Sequence, residues 1–172
     1  MNRLSLQDRA RIIGCLVEGN SLRATERMTG NSINTVTKLL VDVGYACAQF
    51  QDKTLVNLPS KRIQCDEIWS FCYAKARNAP ADMKGRGLAG DIWTWTALDA
   101  DSKLIVSWLV GDRDVRAATH FMNDVAKRLA NRVQLTTDGH KGYLVAMDSA
   151  FNEKIDYAML TKLYGNPAGS EN

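Results

Sequence analysis

At Lys61 the texture of the chain changes. Before it, apolar residues recur at helical spacing. Ile12, Ile13, Leu16 and Val17 fall on one stripe, and Leu22, Met28, Ile33, Val36, Leu39 and Leu40 supply the apolar set of two further short segments. After it, β-branched and aromatic residues come in short runs separated by turn formers, as strands do. A switch of period in mid-chain predicts a helical N-terminal part followed by a part built on a sheet.

The first part is punctuated by small polar residues. Ser5 with Asp8 three residues on resembles a capping box, and Gly19-Asn20 stops the helix it opens. Ser21 can cap a second helix through Met28, Thr29-Gly30-Asn31 makes a tight turn, and Ser32 can cap a third helix from Ile33 to Val43 that Gly44 ends. Arg23, Ala24, Gly30, Ser32 and Val36 stand at the spacing of a helix-turn-helix, which predicts a DNA-binding domain over residues 1–46 and a linker over 47–60. The third helix would then be the recognition helix. Asn34, Thr35 and Lys38 are its candidate base contacts, with Arg23 and Arg27 nearer phosphates. The alternative is a plain three-helix bundle with a solvated polar face. Residues 1–62 hold nine Lys/Arg against five Asp/Glu, and the remainder thirteen against fourteen, so the mild positive balance falls where phosphate contact would need it.

The second part, residues 61–172, reads as strands at Ile63–Tyr73, Asp91–Leu98 and Leu104–Val110. The Gly-rich stretch 74–90 is an exposed loop between the first two. An amphipathic helix follows at Asp114–Ala130, then a short strand at Val133–Thr137, a helix over 143–151 and a last strand at Ile155–Leu160. Three consecutive strands followed by alternating units predict a mixed sheet with helices packed on it, of α+β or α/β class.

Several chemistries are excluded. The four cysteines form no C-x-x-C pair and only two histidines are present, so no zinc site is expected, and the thiols read as buried and reduced. No apolar run approaches the roughly 20 residues of a membrane-spanning helix, and the N-terminus lacks a signal-peptide core, so the expectation is a cytoplasmic protein. Trp69, Trp93, Trp95 and Trp108 read as core rather than base-stacking platforms, and Arg113, Arg116, Lys127, Arg128 and Arg132 as a solvated surface around the crossover helix, with contact to DNA backbone the alternative.

Asp66 lies inside the apolar run Ile63-Gln64-Cys65-Asp66-Glu67-Ile68-Trp69, where a carboxylate is costly unless paired or bound to a cation. Asp138 sits where a short strand ends, before Gly139, and ligand crevices of open sheets lie at strand ends. If the two strands are neighbours, the carboxylates meet and offer oxygen ligands for Mg²⁺ or Mn²⁺. If they are not, Asp66 is an edge residue and Asp138 a turn former. Strand alternation puts Asp66, Ile68 and Ser70 on one face and Glu67, Trp69 and Phe71 on the other, so only one of Asp66 and Glu67 is expected to face a given site. Periodicity does not say which. His140 is either a phosphate or water orienter or a loop hydrogen-bonder, and Asp99 and Asp101 read as turn residues, with a place near the metal site the alternative for Asp99.

Four blocks occur in order: Cys65-Asp66-Glu67-Ile68-Trp69-Ser70-Phe71, Gly90-Asp91-Ile92-Trp93-Thr94-Trp95, Ser107-Trp108-Leu109-Val110-Gly111-Asp112-Arg113, and Leu135-Thr136-Thr137-Asp138-Gly139-His140-Lys141-Gly142-Tyr143. Together they resemble the insertion-sequence-one type of DDE transposase, from about Leu4 to Gly165. The resemblance implies a helix-turn-helix followed by a ribonuclease-H-like catalytic domain, and a DNA strand transferase dependent on Mg²⁺ or Mn²⁺. It makes Asp66 the first catalytic carboxylate and Asp138 the second. It also implies double-stranded DNA partners, namely terminal inverted repeats and target DNA, and a homo-oligomer or a mixed oligomer with full-length transposase.

The family's third carboxylate, a glutamate in a Tyr/Ile-x-Glu-Arg-x-Asn block, has no counterpart here, and neither Glu153 nor Glu171 takes its place. Nor does the chain carry the four-cysteine zinc module with which some members begin. The resemblance is therefore to a C-terminally truncated member with an incomplete ribonuclease-H-like domain, expected to be inactive alone. A non-catalytic DNA-binding regulator or remnant that represses transposition is the alternative.

Overall fold

Three serines set the starts of the first three helices. Ser5, Ser21 and Ser32 each accept from the backbone N–H three residues on, that of Asp8 at 3.0 Å, Ala24 at 3.1 Å and Thr35 at 3.4 Å. They satisfy donors that a helix start leaves unpaired. The helices are α1 (Leu6–Val17), α2 (Leu22–Thr29) and α3 (Ile33–Thr54). Gly30 ends α2 with φ of 72°, a left-handed turn that a residue without Cβ adopts freely. The structure is a computed structural model describing residues 4–152 and 154–161; Glu153, Glu171 and the rest of 162–172 lie outside the described residues.

The chain divides into two compact units, one ending at Thr54 and the other beginning at Leu55. In the first, α3 does not stop at Gly44 but continues to Thr54, so most of the stretch expected as linker is helical. A single glycine costs a helix only about 1 kcal/mol, and the good helix formers Ala46, Ala48, Gln49 and Gln51 follow it. The fully buried residues of this unit are Ile12, Thr25 and Val36. Met28 and Leu40, expected in that core, are exposed, because each helix of this unit buries only a narrow stripe.

The second unit carries a five-stranded mixed sheet of β1 (Arg62–Cys72), β2 (Gly90–Asp99), β3 (Ile105–Gly111), β4 (Gln134–Thr137) and β5 (Asp156–Met159), in the order β3-β2-β1-β4-β5. β1, β2 and β3 form an antiparallel meander, with Asp66 opposite Thr96 and Glu67 opposite Trp95. β4 pairs parallel with β1, and β5 parallel with β4. The segment between β1 and β2, expected as a loop, contains a 3-10 turn at Ala76–Asn78 and a one-turn helix α4 (Ala81–Gly85).

Helices α5 (Val115–Arg128) and α6 (Gly142–Phe151) complete this unit. Ile63 and Cys65 of β1, Trp95 and Ala97 of β2, Val106 of β3 and Leu135 of β4 point to one face. There they form a core with Ala118, Phe121, Met122 and Val125 of α5 and Tyr143, Ala146 and Met147 of α6. Of the four tryptophans only Trp95 is fully buried, so the expectation that all four are core is corrected. Trp69 and Trp108 are exposed because neither meets the α5–α6 layer. The alternate residues form the second face. Gln64, Asp66 and Ile68 of β1 pair with Leu98, Thr96 and Thr94 of β2, which in turn pair with Ile105, Trp108 and Val110 of β3. Ile68, Trp108 and Val110 are exposed, so among the described residues this face is left open. No helix of the described residues is long and apolar enough to cross a membrane.

The basic residues do not form one solvated surface. Arg128 is buried, donates to Asp124 at 2.7 Å and reaches the Leu55 carbonyl at 3.4 Å. Arg132 pairs with Asp156 at 2.6 Å and joins the start of β5 to the segment before β4. The cysteines are free, but only Cys65 is buried, whereas Cys47 and Cys72 are exposed.

Candidate metal centre

The site is built where β4 stops short. β1 has eleven residues and β4 four, and their pairing ends at Gln64 opposite Thr136. Beyond that point β1 has no strand neighbour on this side among the described residues, and the chain leaving β4 places Asp138 beside that edge. Asp66 and Glu67 stand on opposite faces of β1, yet carboxylate oxygens of Asp66, Glu67 and Asp138 lie within 4.8 Å of one another. The expectation that only one of the two neighbours reaches a given site is thereby corrected. Alternation separates the side chains across the sheet, but at an unpaired edge both can turn toward the gap.

Each aspartate is steadied by a backbone donor. Asp66 Oδ1 accepts from the N–H of Glu67 at 2.8 Å, and Asp138 Oδ1 accepts from the N–H of His140 at 2.9 Å. Asp138 Oδ2 accepts from Arg113 Nη2 at 3.0 Å. Asp66 faces a groove of about 650 Å³ lined also by Gln64, Thr96, Thr136 and Leu160.

Glu67 differs in its surroundings. Its side chain is 1% exposed, and Oε2 accepts from Arg113 Nε at 2.8 Å. Oε1 is buried with no hydrogen-bond partner, as are the Tyr143 hydroxyl and His140 Nε2. The His140 and Tyr143 rings pack edge-on at 5.8 Å, and both lie against Trp95. Burial raises the Tyr143 phenol well above its ordinary value, with further contributions from Cys65 and Glu67, although no hydrogen bond of ordinary geometry joins it to Glu67. Burial raises the Cys65 thiol first, and the charges of Glu67 and Asp66 add to it, so this cysteine stays protonated.

Arg113 bridges the two sides. It follows the end of β3, and Trp93 lies under its guanidinium at 5.0 Å. The preceding carbonyl, that of Asp112, accepts from Trp95 Nε1 at 3.1 Å, and the following residue, Asp114, caps α5 by accepting from Ala117 N–H at 2.7 Å. Burial works against its charge, but the hydrogen bond and charge of Glu67, with Asp138 and Tyr143 adding, raise its pKa overall. Sequence reasoning missed this residue. The signal was its place just after β3, because β1, β3 and β4 run in one direction and their carboxyl ends share one end of the sheet.

The donor set suits a hard divalent cation. Three carboxylates converge, and Asp66 is open to solvent. Asp99, weighed as a neighbour of the metal site, instead closes the β2–β3 turn by accepting from the N–H groups of Asp101 and Ser102, each at 2.9 Å.

In the first unit, Arg23, Arg27, Asn34 and Lys38 are exposed, whereas Thr35 is half-buried. Lys38 pairs with Asp42 at 2.8 Å, and Thr35 Oγ1 lies 3.0 Å from Ser32 Oγ. Two of the five candidate DNA contacts are thus engaged within the chain.

No family model and no curated protein matches the chain. Among solved structures, a piggyBac transposase synaptic complex with hairpin DNA superposes with a TM-score of 0.45 and 11% identity, over 96% of this chain and 44% of that one.

Proposed function

We propose that the chain acts in DNA transposition, binding element ends through residues 1–46 and carrying cation-dependent phosphodiester chemistry on its sheet unit. The observation that carries the reading is the meeting of Asp66 and Asp138, which are 72 positions apart, with a third carboxylate beside them. Their blocks resemble those of the insertion-sequence-one type of DDE transposase. The sheet order and the α5 crossover support the ribonuclease-H-like layout which that resemblance implies.

A bound Mg²⁺ or Mn²⁺ would polarise a phosphodiester and activate a water or a DNA 3′-hydroxyl for in-line attack. Asp66 and Asp138 would hold it. The backbone N–H groups of Glu67 and His140 each fix Oδ1 of their aspartate, and Oδ2 of Asp138 also accepts from Arg113, so Asp66 is the more open of the pair. The open groove beside Asp66 leaves room for a DNA strand. Arg23, Arg27 and Asn34 present donors from the first unit, and Thr35 and Lys38 join them by exchanging their internal partners for DNA. Two ends must be cut and joined together, so the working form is an oligomer, of this chain alone or mixed with a full-length transposase.

The test is nicking of duplex DNA by purified protein in Mn²⁺. Lacking the family's third carboxylate, the chain alone is expected to carry out no strand transfer. Residual slow nicking that disappears in Asp66→Ala and in Asp138→Ala supports the reading, and nicking that survives both removes it. A second reading, a non-catalytic DNA-binding regulator, is favoured by the engagement of Glu67 and Asp138 with Arg113. Specific DNA binding without any nicking selects it. In a gel shift, loss of that binding in an Asn34→Ala/Lys38→Ala double variant supports the DNA contacts, and unchanged binding removes them.

A further inference from the structure

Two halves of one guanidinium meet very different partners. Arg113 donates through Nε to Glu67, whose side chain is 1% exposed, and through Nη2 to Asp138, whose side chain is 41% exposed. A charge pair with one partner this deeply buried is hard to break, because the carboxylate left behind is unpaired out of water. A pair to a solvent-exposed carboxylate is weak, because water replaces the lost partner. The guanidinium is also held from below by Trp93, and its backbone is tied by the Trp95–Asp112 hydrogen bond and the Asp114 cap. It cannot drift far from the three carboxylates.

We infer that Arg113 is a resident cation that keeps the place of a divalent ion. Between Glu67 and Asp138 it offsets the repulsion of three carboxylates gathered within 4.8 Å. When a divalent ion binds Asp66 and Asp138, the Nη2–Asp138 hydrogen bond opens while the Nε–Glu67 hydrogen bond stays closed. Glu67 is then the anchor of the arginine and not a ligand of the ion. Arg113 is a positioning residue that competes with the ion for Asp138. The inference rests on the cation-binding reading given above.

The experiment measures Mn²⁺ binding to the full chain without DNA, by the electron paramagnetic resonance of free Mn²⁺. Removing a competitor of the strength of an exposed ion pair tightens binding by about fivefold, so Arg113→Gln is expected to lower the Mn²⁺ Kd by that factor. Its metal-free Tm should fall and its Mn²⁺-induced rise in Tm should grow. Unchanged or weaker Mn²⁺ binding in Arg113→Gln overturns the inference.

Asp138→Asn separates the two readings. If it leaves Mn²⁺ binding intact, the cation site itself is misplaced and both readings fall. If it abolishes binding while Arg113→Gln fails to tighten it, only the role of Arg113 falls. Should Arg113→Gln not fold, Glu67→Gln/Arg113→Gln replaces the pair by two neutral amides. Tighter Mn²⁺ binding there supports the inference. Unchanged binding overturns it, and weaker binding overturns it by making Glu67 a ligand.

Discussion

The two faces of the central sheet use the same strands in opposite ways. On the closed face Ile63, Cys65, Trp95, Ala97 and Leu135 are sealed under α5 and α6, and hydrophobic burial there supplies the stability of this unit. On the open face Asp66 lies among Gln64, Thr96 and Thr136, with Ile68, Trp108 and Val110 left in contact with water. Burial thus decides where chemistry can be placed. A carboxylate on the closed face must be paired, as Glu67 is by Arg113, whereas one on the open face can keep an oxygen available.

The sharpest way to break that contrast is to truncate one tryptophan on each face. Trp95→Ala should cost about 3–5 kcal/mol, read as a large fall in the urea midpoint, because Trp95 is fully buried against Phe121 and Tyr143. Trp108→Ala, at 47% exposure, should cost less, about 1 kcal/mol, because half of its side chain is already in water. Similar losses at both positions would mean that the open face is covered in solution.

Next in size are the neighbours Asp66 and Glu67. Glu67→Gln leaves Arg113 without its buried partner and should cost about 2 kcal/mol, below the full buried-pair value because Arg113 is 34% exposed. Asp66→Asn should lie within about 0.5 kcal/mol of the parent, and on the stabilising side in metal-free buffer, since it removes one of three mutually repelling charges. Equal losses from both substitutions in thermal melts would refute the distinction.

A smaller effect is expected at the far end of the closed face. The hydrogen bond from Ser60, and those from the turn at Ser102 and Asp101, hold the Asp99 carboxyl below its ordinary range. A depressed carboxylate stabilises the fold above that range and loses its contribution as pH falls through its folded pKa. Asp99→Asn should therefore be less stable than the parent at pH 7, with the gap closing below about pH 4. A gap independent of pH would assign the loss to the turn's shape and not to charge.

The smallest contrast needs no substitution. Cys65, on the closed face with its thiol raised by burial, should resist alkylation by iodoacetamide, while Cys72 and Cys47 react in the native protein. Mass spectrometry of the labelled peptides reads the order, and early labelling of Cys65 would show that the closed face opens.

Much of this layout was legible in residues alone. The serine caps, the Gly30 turn and the order of strands and helices follow from local chemistry that sequence records directly. The overrun of α3 past Gly44 does not, because one glycine weakens a helix without deciding its end. The meeting of Asp66 with Asp138 was legible as an alternative that depended on their strands being neighbours. Strand alternation for Asp66 and Glu67 was read correctly and still gave the wrong exclusion, since it assumes a paired strand on both sides. The length of β4 relative to β1 is a property of the sheet and not of either segment. Arg113 was set aside as a surface charge for the same reason. Its partners are 46 and 25 positions away, and only the shared direction of β1, β3 and β4 brings them together.

The short β4 beside the long β1 leaves a step in the sheet. A cavity closed on every side selects its guest by size, and a long polymer cannot enter it except by an end. Among the described residues this step is an open groove. A strand of any length can be laid across it sideways, at an interior bond, and lifted away again without being threaded.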